Sequence, residues 1–226
     1  MHKHSNHNQP VHKPVHNISF IGMSGCGKSY WSKRLHRELG YKLYNCDDLI
    51  GEKIKHKYLD GNYTHVSDLS LWLGQPYEDG YSEREQLLLQ AECEVMREII
   101  ADIKANNLTN VVIDTSGSVI YTENDIKAEL SNLSAIVYLE NSDTERLFER
   151  YVKHPKPVLW AGNFHLLEQE IPDYMALRRC YPELLKERFK LYSTLAQITI
   201  DSQIHNQPAS SAEDLINTIY SKQAVR

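Results

Sequence analysis

Strands that alternate with helices along the chain predict an α/β fold, a three-layer α/β/α sandwich around a five-stranded parallel sheet. Two further observations support that class. An apolar run, Ile18-Ser19-Phe20-Ile21, enters a glycine-rich turn that opens directly into a helix. The chain of 226 residues is long enough for one such domain with a core of its own.

The elements follow in order. Residues 1–17 are polar, contain two prolines and carry His2, His4, His7, His12 and His16. They read as a disordered, histidine-rich leader ahead of a domain spanning 18–226. Such tracts can bind metal, but no cysteine or carboxylate joins these histidines, so a flexible tail is expected. After the first helix, Tyr41-Lys42-Leu43-Tyr44 predicts a second strand running into Asn45-Cys46-Asp47-Asp48. Residues 56–64 read as a polar loop and 66–73 as a helix, followed by turn residues Gly74, Pro76 and Gly80. Leu87, Leu88, Ala91, Val95, Ile99 and Ile100 recur at helical spacing, which predicts a long helix over 83–105. Arg84 and Glu92 lie on it, and a surface salt bridge is the ordinary expectation for each. Strands are expected at 110–114, 135–139 and 197–201, and helices at 121–130, 143–152, 173–196 and 213–221. Between 153 and 172 the pattern breaks around Pro155 and Pro157, and this stretch reads as a mobile lid.

The turn after the first strand is the most informative stretch. Gly22-Met23-Ser24-Gly25-Cys26-Gly27-Lys28-Ser29 matches the phosphate-loop pattern G-x-x-x-x-G-K-[ST]. Its glycines admit backbone turns that a Cβ would hinder, so successive N–H groups can face one oxyanion. Lys28 can reach terminal phosphates, the Ser29 hydroxyl can hold Mg²⁺, and the helix from Tyr30 onward adds its positive dipole end. Carboxylates at the carboxyl ends of parallel strands face the ligand crevice. Asp47 and Asp48 fall there, and either can hold a substrate hydroxyl or cap the following helix. Asp114 ends the third strand, as a Mg²⁺-holding Walker B carboxylate would. Cys26 lies beside Lys28 and a helix start, conditions that lower a thiol pKa, although a small residue filling the loop is the simpler expectation.

Composition excludes several classes. A net charge of −5 argues against a nucleic-acid or membrane-surface role. No apolar run approaches a membrane span, and the N-terminus has no apolar signal region. Four cysteines without a C-x-x-C pair fit reduced thiols, so a cytoplasmic protein is expected. The guanine-reading Asn-Lys-x-Asp motif of regulatory GTPases is absent.

Taken together, the chain after Asn17 resembles the shikimate kinase family of P-loop kinases, relatives of the gluconate kinases. The resemblance rests on the phosphate loop, on Asn45-Cys46-Asp47 after strand two, and on Asp114-Thr115-Ser116-Gly117-Ser118 where the family has a triple glycine. Lys156-Pro157-Val158-Leu159 and Glu187-Arg188-Phe189 match its lid and closing helix. The resemblance implies ATP and Mg²⁺ as cofactors and phosphoryl transfer to a small hydroxylated acid by a monomer. It implies nucleotide contacts from Gly22, Met23, Ser24, Gly25, Cys26, Gly27, Lys28, Ser29 and Tyr30, with Arg150 on the adenine and 202–208 bordering it. Lys28, Asp47 and Lys156 would act on the transferred group, and Ser29 and Asp114 on the metal. The acceptor would meet Asp47, Arg84, Ser116, Gly117, Ser118 and Arg188, the arginine pairing with its carboxylate.

The departures from the family cluster at the acceptor. Asn45 replaces the first acid of its Asp-x-Asp segment, Lys156 replaces a lid arginine, and serines replace two glycines of the turn. The phosphoryl-donor half looks intact and the acceptor half rewritten. A nucleotide-binding module that no longer transfers phosphate is the alternative that those changes motivate.

Overall fold

A computed structural model of the chain describes residues 16–59, 64–154, 156–168, 171–205 and 211–224. Most of the expected leader and residues 206–208 of the expected adenine border lie outside the described residues.

The strands are β1 (Ile18–Ile21), β2 (Lys42–Asn45), β3 (Val111–Asp114), β4 (Ala135–Leu139) and β5 (Ile198–Ile200). They form one five-stranded sheet in the order β2-β3-β1-β4-β5, with every pairing parallel. Strands buried on both faces read as continuous apolar runs, as Val111-Val112-Ile113 and Ala135-Ile136-Val137-Tyr138-Leu139 do. β1 is central, so the loop that follows it emerges at the middle of the sheet's carboxyl edge.

Helices cover both faces. On one side α1 (Lys28–Leu39) packs against α9 (Ala212–Gln223) through Trp31, Leu35, Leu215, Ile216 and Ile219. On the other, α4 (Tyr81–Ala105) supplies Leu88, Val95, Met96, Ile99, Ile100 and Ile103 to a larger core. Each such side chain contributes roughly 1.5–3 kcal/mol when fully buried. The same layer holds α2 (Cys46–Tyr58), α3 (Val66–Leu73), α5 (Asn124–Leu133), α6 (Thr144–Lys153) and α7 (Tyr174–Leu195). A four-residue α8 (Ser202–His205) follows β5.

Two expectations change. The polar loop expected from His56 is helical to Tyr58, because Ile50 and Ile54 bury one stripe of α2. Asp47 and Asp48 in its first turn and Lys55, His56 and Lys57 in its last complement the helix dipole. The helix expected from Tyr121 starts at Asn124, preceded by a 3-10 turn over Val119–Tyr121. Among the described residues no helix is long and apolar enough to cross a membrane.

Candidate active site

The phosphate loop is shaped by its glycines. Gly22 has φ +138°, and a Cβ there would meet Leu139 O at 2.9 Å. Gly25 has φ +85°, and a Cβ there would strike Arg150 Cδ at 2.4 Å. Lys28 is buried and folds back across the loop, donating to Gly22 O at 2.7 Å and Met23 O at 3.2 Å. A cleft of about 390 Å³ opens over this loop. It is lined by Met23, Ser24, Gly25, Gly27, Lys28, Ser29 and Tyr30 from the loop and the start of α1.

The carboxyl ends of β2 and β3 deliver the acids. Asp47 lines the cleft and pairs with Lys156 at 3.1 Å. Asp48 is exposed and accepts a hydrogen bond from the Asn45 side chain at 2.5 Å. Of the two acids, Asp47 is therefore the one presented to the cleft. Asp114 stands at the end of β3, opposite Asn45 in the strand register. Burial raises its carboxyl pKa, while the nearby Lys28 ammonium and a hydrogen bond from Ser29 oppose the rise. The donor set of Ser29 and Asp114 fits Mg²⁺, which favours one or two carboxylates plus phosphate oxygens and water over an all-protein cage. No cluster of three or more metal-binding side chains occurs among the described residues.

Beyond Asp47 the cleft ends in a mixed floor. Ile50, Leu69 and Leu88 give it an apolar side, and Glu92, Ser116, Gly117, Ser118 and Arg188 a polar one. Arg188 is buried, donating to Gly117 O at 3.2 Å and Leu159 O at 2.6 Å, while its Nε has no partner. Its guanidinium lies 5.4 Å from the Tyr121 ring centroid. Glu92 departs most from expectation. It is only 1% exposed, and its carboxyl oxygens meet the hydroxyls of Ser116 and Ser118 instead of a surface cation. Burial pushes its pKa up to about 7. Mid-helix position hid this residue in the sequence, because both serines come from the loop after β3.

The opposite end of the cleft carries Arg146, Arg150 and His205. Arg146 and Arg150 are four residues apart on α6 and so share one helix face. That spacing was a readable signal for Arg146. His205 had none: it is placed by Trp31, which donates to its carbonyl at 3.1 Å, and by a contact of its Nε2 with Glu140 O at 2.9 Å.

Two expected placements need correction. Arg84 does not line the cleft. Its guanidinium holds the turn before α4, donating to Leu73 O at 2.9 Å and Asp79 O at 3.0 Å, with Glu78 3.9 Å away. The Cys26 thiol is buried, and burial raises its pKa despite Lys28, which fits the small loop-filling residue that was the simpler expectation. Cys26 and Gly22 shape the loop from beneath and do not line the cleft.

The stretch expected as a lid is fastened to the body where it is described. Val158, Leu159 and Trp160 are buried. Glu85 accepts from the N–H groups of Trp160 at 2.5 Å and Ala161 at 3.0 Å, and the Tyr81 hydroxyl donates to Val158 O at 2.9 Å. Trp160 packs edge-on against Tyr151, Phe164 and Tyr181. Lys156, Pro157 and Val158 thus line the cleft, continuous with the fastened residues that follow them.

The sheet order, the phosphate loop and the acids at the strand ends define a P-loop kinase fold. The comparisons with known proteins make the likeness more particular: the chain is shikimate kinase-like. The shikimate kinase of Francisella tularensis subsp. novicida (strain U112) is 28% identical over 204 residues, covering 90% of this chain and 92% of the relative. That of Francisella philomiragia is 28% identical over 205 residues with the same coverage. Among solved structures, shikimate kinase from Acinetobacter baumannii in complex with shikimate superposes with a TM-score of 0.60 at 20% identity, covering 92% of both chains. The Aquifex aeolicus shikimate kinase gives a TM-score of 0.56 at 18% identity, covering 92% of this chain and 96% of that one. No protein-family model matches the chain.

Proposed function

We propose that this protein is an ATP-dependent kinase that transfers the γ-phosphoryl group to a hydroxyl of a small hydroxylated acid, with shikimate the first acceptor to test. The observation that carries the reading is one continuous cleft in which the phosphate loop with Lys28 meets the Asp47–Lys156 pair. Phosphoryl transfer needs little covalent help from a protein beyond position and charge. Loop amides and Lys28 would hold the phosphates. Asp47 would accept the proton of the attacking hydroxyl or align it, and Lys156 would offset charge on the transferred group. Ser29 and Asp114 would hold Mg²⁺, which supplies charge neutralisation between the β- and γ-phosphates. Arg188 would draw an acceptor carboxylate toward the floor, its buried Nε still open to a hydrogen bond. Monomeric action is part of the proposal, since one chain supplies every group named.

The test is ADP release in a coupled assay with ATP and Mg²⁺, against shikimate, gluconate and further hydroxy acids. ADP formation that depends on one acceptor is the expected result. Tight ATP binding without acceptor-dependent ADP formation from any of them would instead favour a nucleotide-binding module that has lost transfer.

A further inference from the structure

The floor of the cleft holds a closed set of contacts that the phosphate-binding machinery does not use. Ser116 Oγ meets Glu92 Oε1, Ser118 Oγ meets Glu92 Oε2 at 2.5 Å, and the two hydroxyls lie 3.1 Å apart. Ser118 N–H also donates to Ser116 Oγ at 3.1 Å. Glu92, Ser116 and Ser118 are 1%, 6% and 7% exposed, and all three line the cleft.

Counting protons decides what this ring can do. Each of its three oxygen–oxygen contacts needs one proton, and the two serines supply only two. A neutral Glu92 supplies the third and closes the ring. An ionised Glu92 draws both serine protons to itself and leaves the contact between the hydroxyls empty. Ser116 already accepts the Ser118 N–H and keeps one lone pair, so two of the three open lone pairs then lie on Ser118, a residue that lines the cleft. A donor arriving there is strengthened by the charge behind the hydroxyl.

Resting on the kinase reading above, we propose that Glu92, Ser116 and Ser118 recognise the acceptor: Ser118 Oγ takes a hydrogen bond from a second hydroxyl of a polyhydroxylated acceptor, and binding it favours loss of the Glu92 proton. The acceptor class is therefore a small polyol acid whose second hydroxyl lies away from the reacting one. Burial places the Glu92 pKa near 7, so both states are within reach at neutral pH. The charged and titratable groups that face it are Asp47 and Cys46 from α2, Arg188 from α7 and its neighbour Cys93 on α4. Asp47 opposes ionisation and Arg188 favours it. The loop after β3 presents hydroxyls alone to this group.

The experiment is a carbon-13 titration of glutamate side chains in the wild-type protein, with the Glu92 signal assigned by its loss in Glu92→Gln. The probes are shikimate and gluconate, each added with ADP and Mg²⁺. A Glu92 midpoint near 7 that falls by about one pH unit with a probe supports the inference. A midpoint in the ordinary carboxylate range, or one that neither probe moves, overturns it. In turnover, the acceptor KM should fall by about tenfold in all, between the midpoint with the probe bound and the free midpoint, and be level on either side, with the ATP KM unchanged. Glu92→Gln, which keeps a neutral ring, should flatten that profile and hold KM at its acid value. The titration reads the recognition element without catalysis. Absence of ADP formation therefore counts against the kinase reading, and an unmoved midpoint against this one.

Discussion

The two ends of the cleft are built on different principles. At the end proposed for the nucleotide the backbone would do the binding: the loop glycines have positive φ, and one lysine folds back across them. At the end proposed for the acceptor, side chains from four elements converge: Asp47 from α2, Glu92 from α4, Ser116 and Ser118 after β3, and Arg188 from α7. A backbone site is set by conformation and tolerates change only where a Cβ fits. A side-chain site is rewritten by single substitutions with the fold intact. The departures from the shikimate kinase pattern fall at the second kind of site, where they cost the fold least.

If that division holds, substitutions should separate binding of nucleotide from transfer. The largest effect is expected from Lys28→Ala. Removing a charge that faces the phosphates should lower kcat/KM on the order of 10³-fold and weaken ATP and ADP binding, read by calorimetry. Unchanged ADP affinity would show that the loop does not hold the phosphates. Next in size, Asp47→Asn should lower kcat by roughly 10²–10³-fold while ATP affinity stays within about twofold. A parallel loss of ATP binding would break the comparison, because it would place Asp47 with the nucleotide end. Asp114→Asn comes third. Losing the carboxylate beside Ser29 should raise the Mg²⁺ concentration for half-maximal rate by about 10–100-fold. An unaltered Mg²⁺ requirement would return that role to other groups.

The same division explains what the sequence disclosed. All five strands and the phosphate loop were legible, because strand burial and loop conformation are written in contiguous residues. Residue chemistry left Asp47 and Asp48 equivalent at a strand end and the family resemblance singled out Asp47; the physical reason, the Asn45–Asp48 contact and the Lys156 pair, is visible only in the structure. Glu92 was illegible. Its partners are 24 and 26 residues away, and a glutamate among helical polar positions looks solvated. Arg84 misled for the converse reason: an arginine near a helix start suits a ligand, but three carbonyl and carboxylate groups of the preceding turn surround it. The stretch at 153–172 reads as a lid because its prolines break periodicity. What fastens it is Glu85, Tyr81 and an aromatic cluster drawn from α6 and α7, none of which local sequence can report.

The smallest effect tests the edge of the nucleotide end. Arg150 crosses the phosphate loop so closely that Gly25 could carry no side chain, and it shares a helix face with Arg146 beside the cleft. A guanidinium over an aromatic base at a partly exposed site contributes about 0.5–1 kcal/mol. Arg150→Ala should therefore raise the ATP KM only about two- to fivefold, with kcat and the acceptor KM unchanged. The comparison sharpens if ATP and GTP lose affinity equally, since stacking on a ring does not read its edge. A drop in kcat would mean that Arg150 reaches the transferring phosphates, and one side chain would then do at the nucleotide end what Lys156 is placed to do beside Asp47.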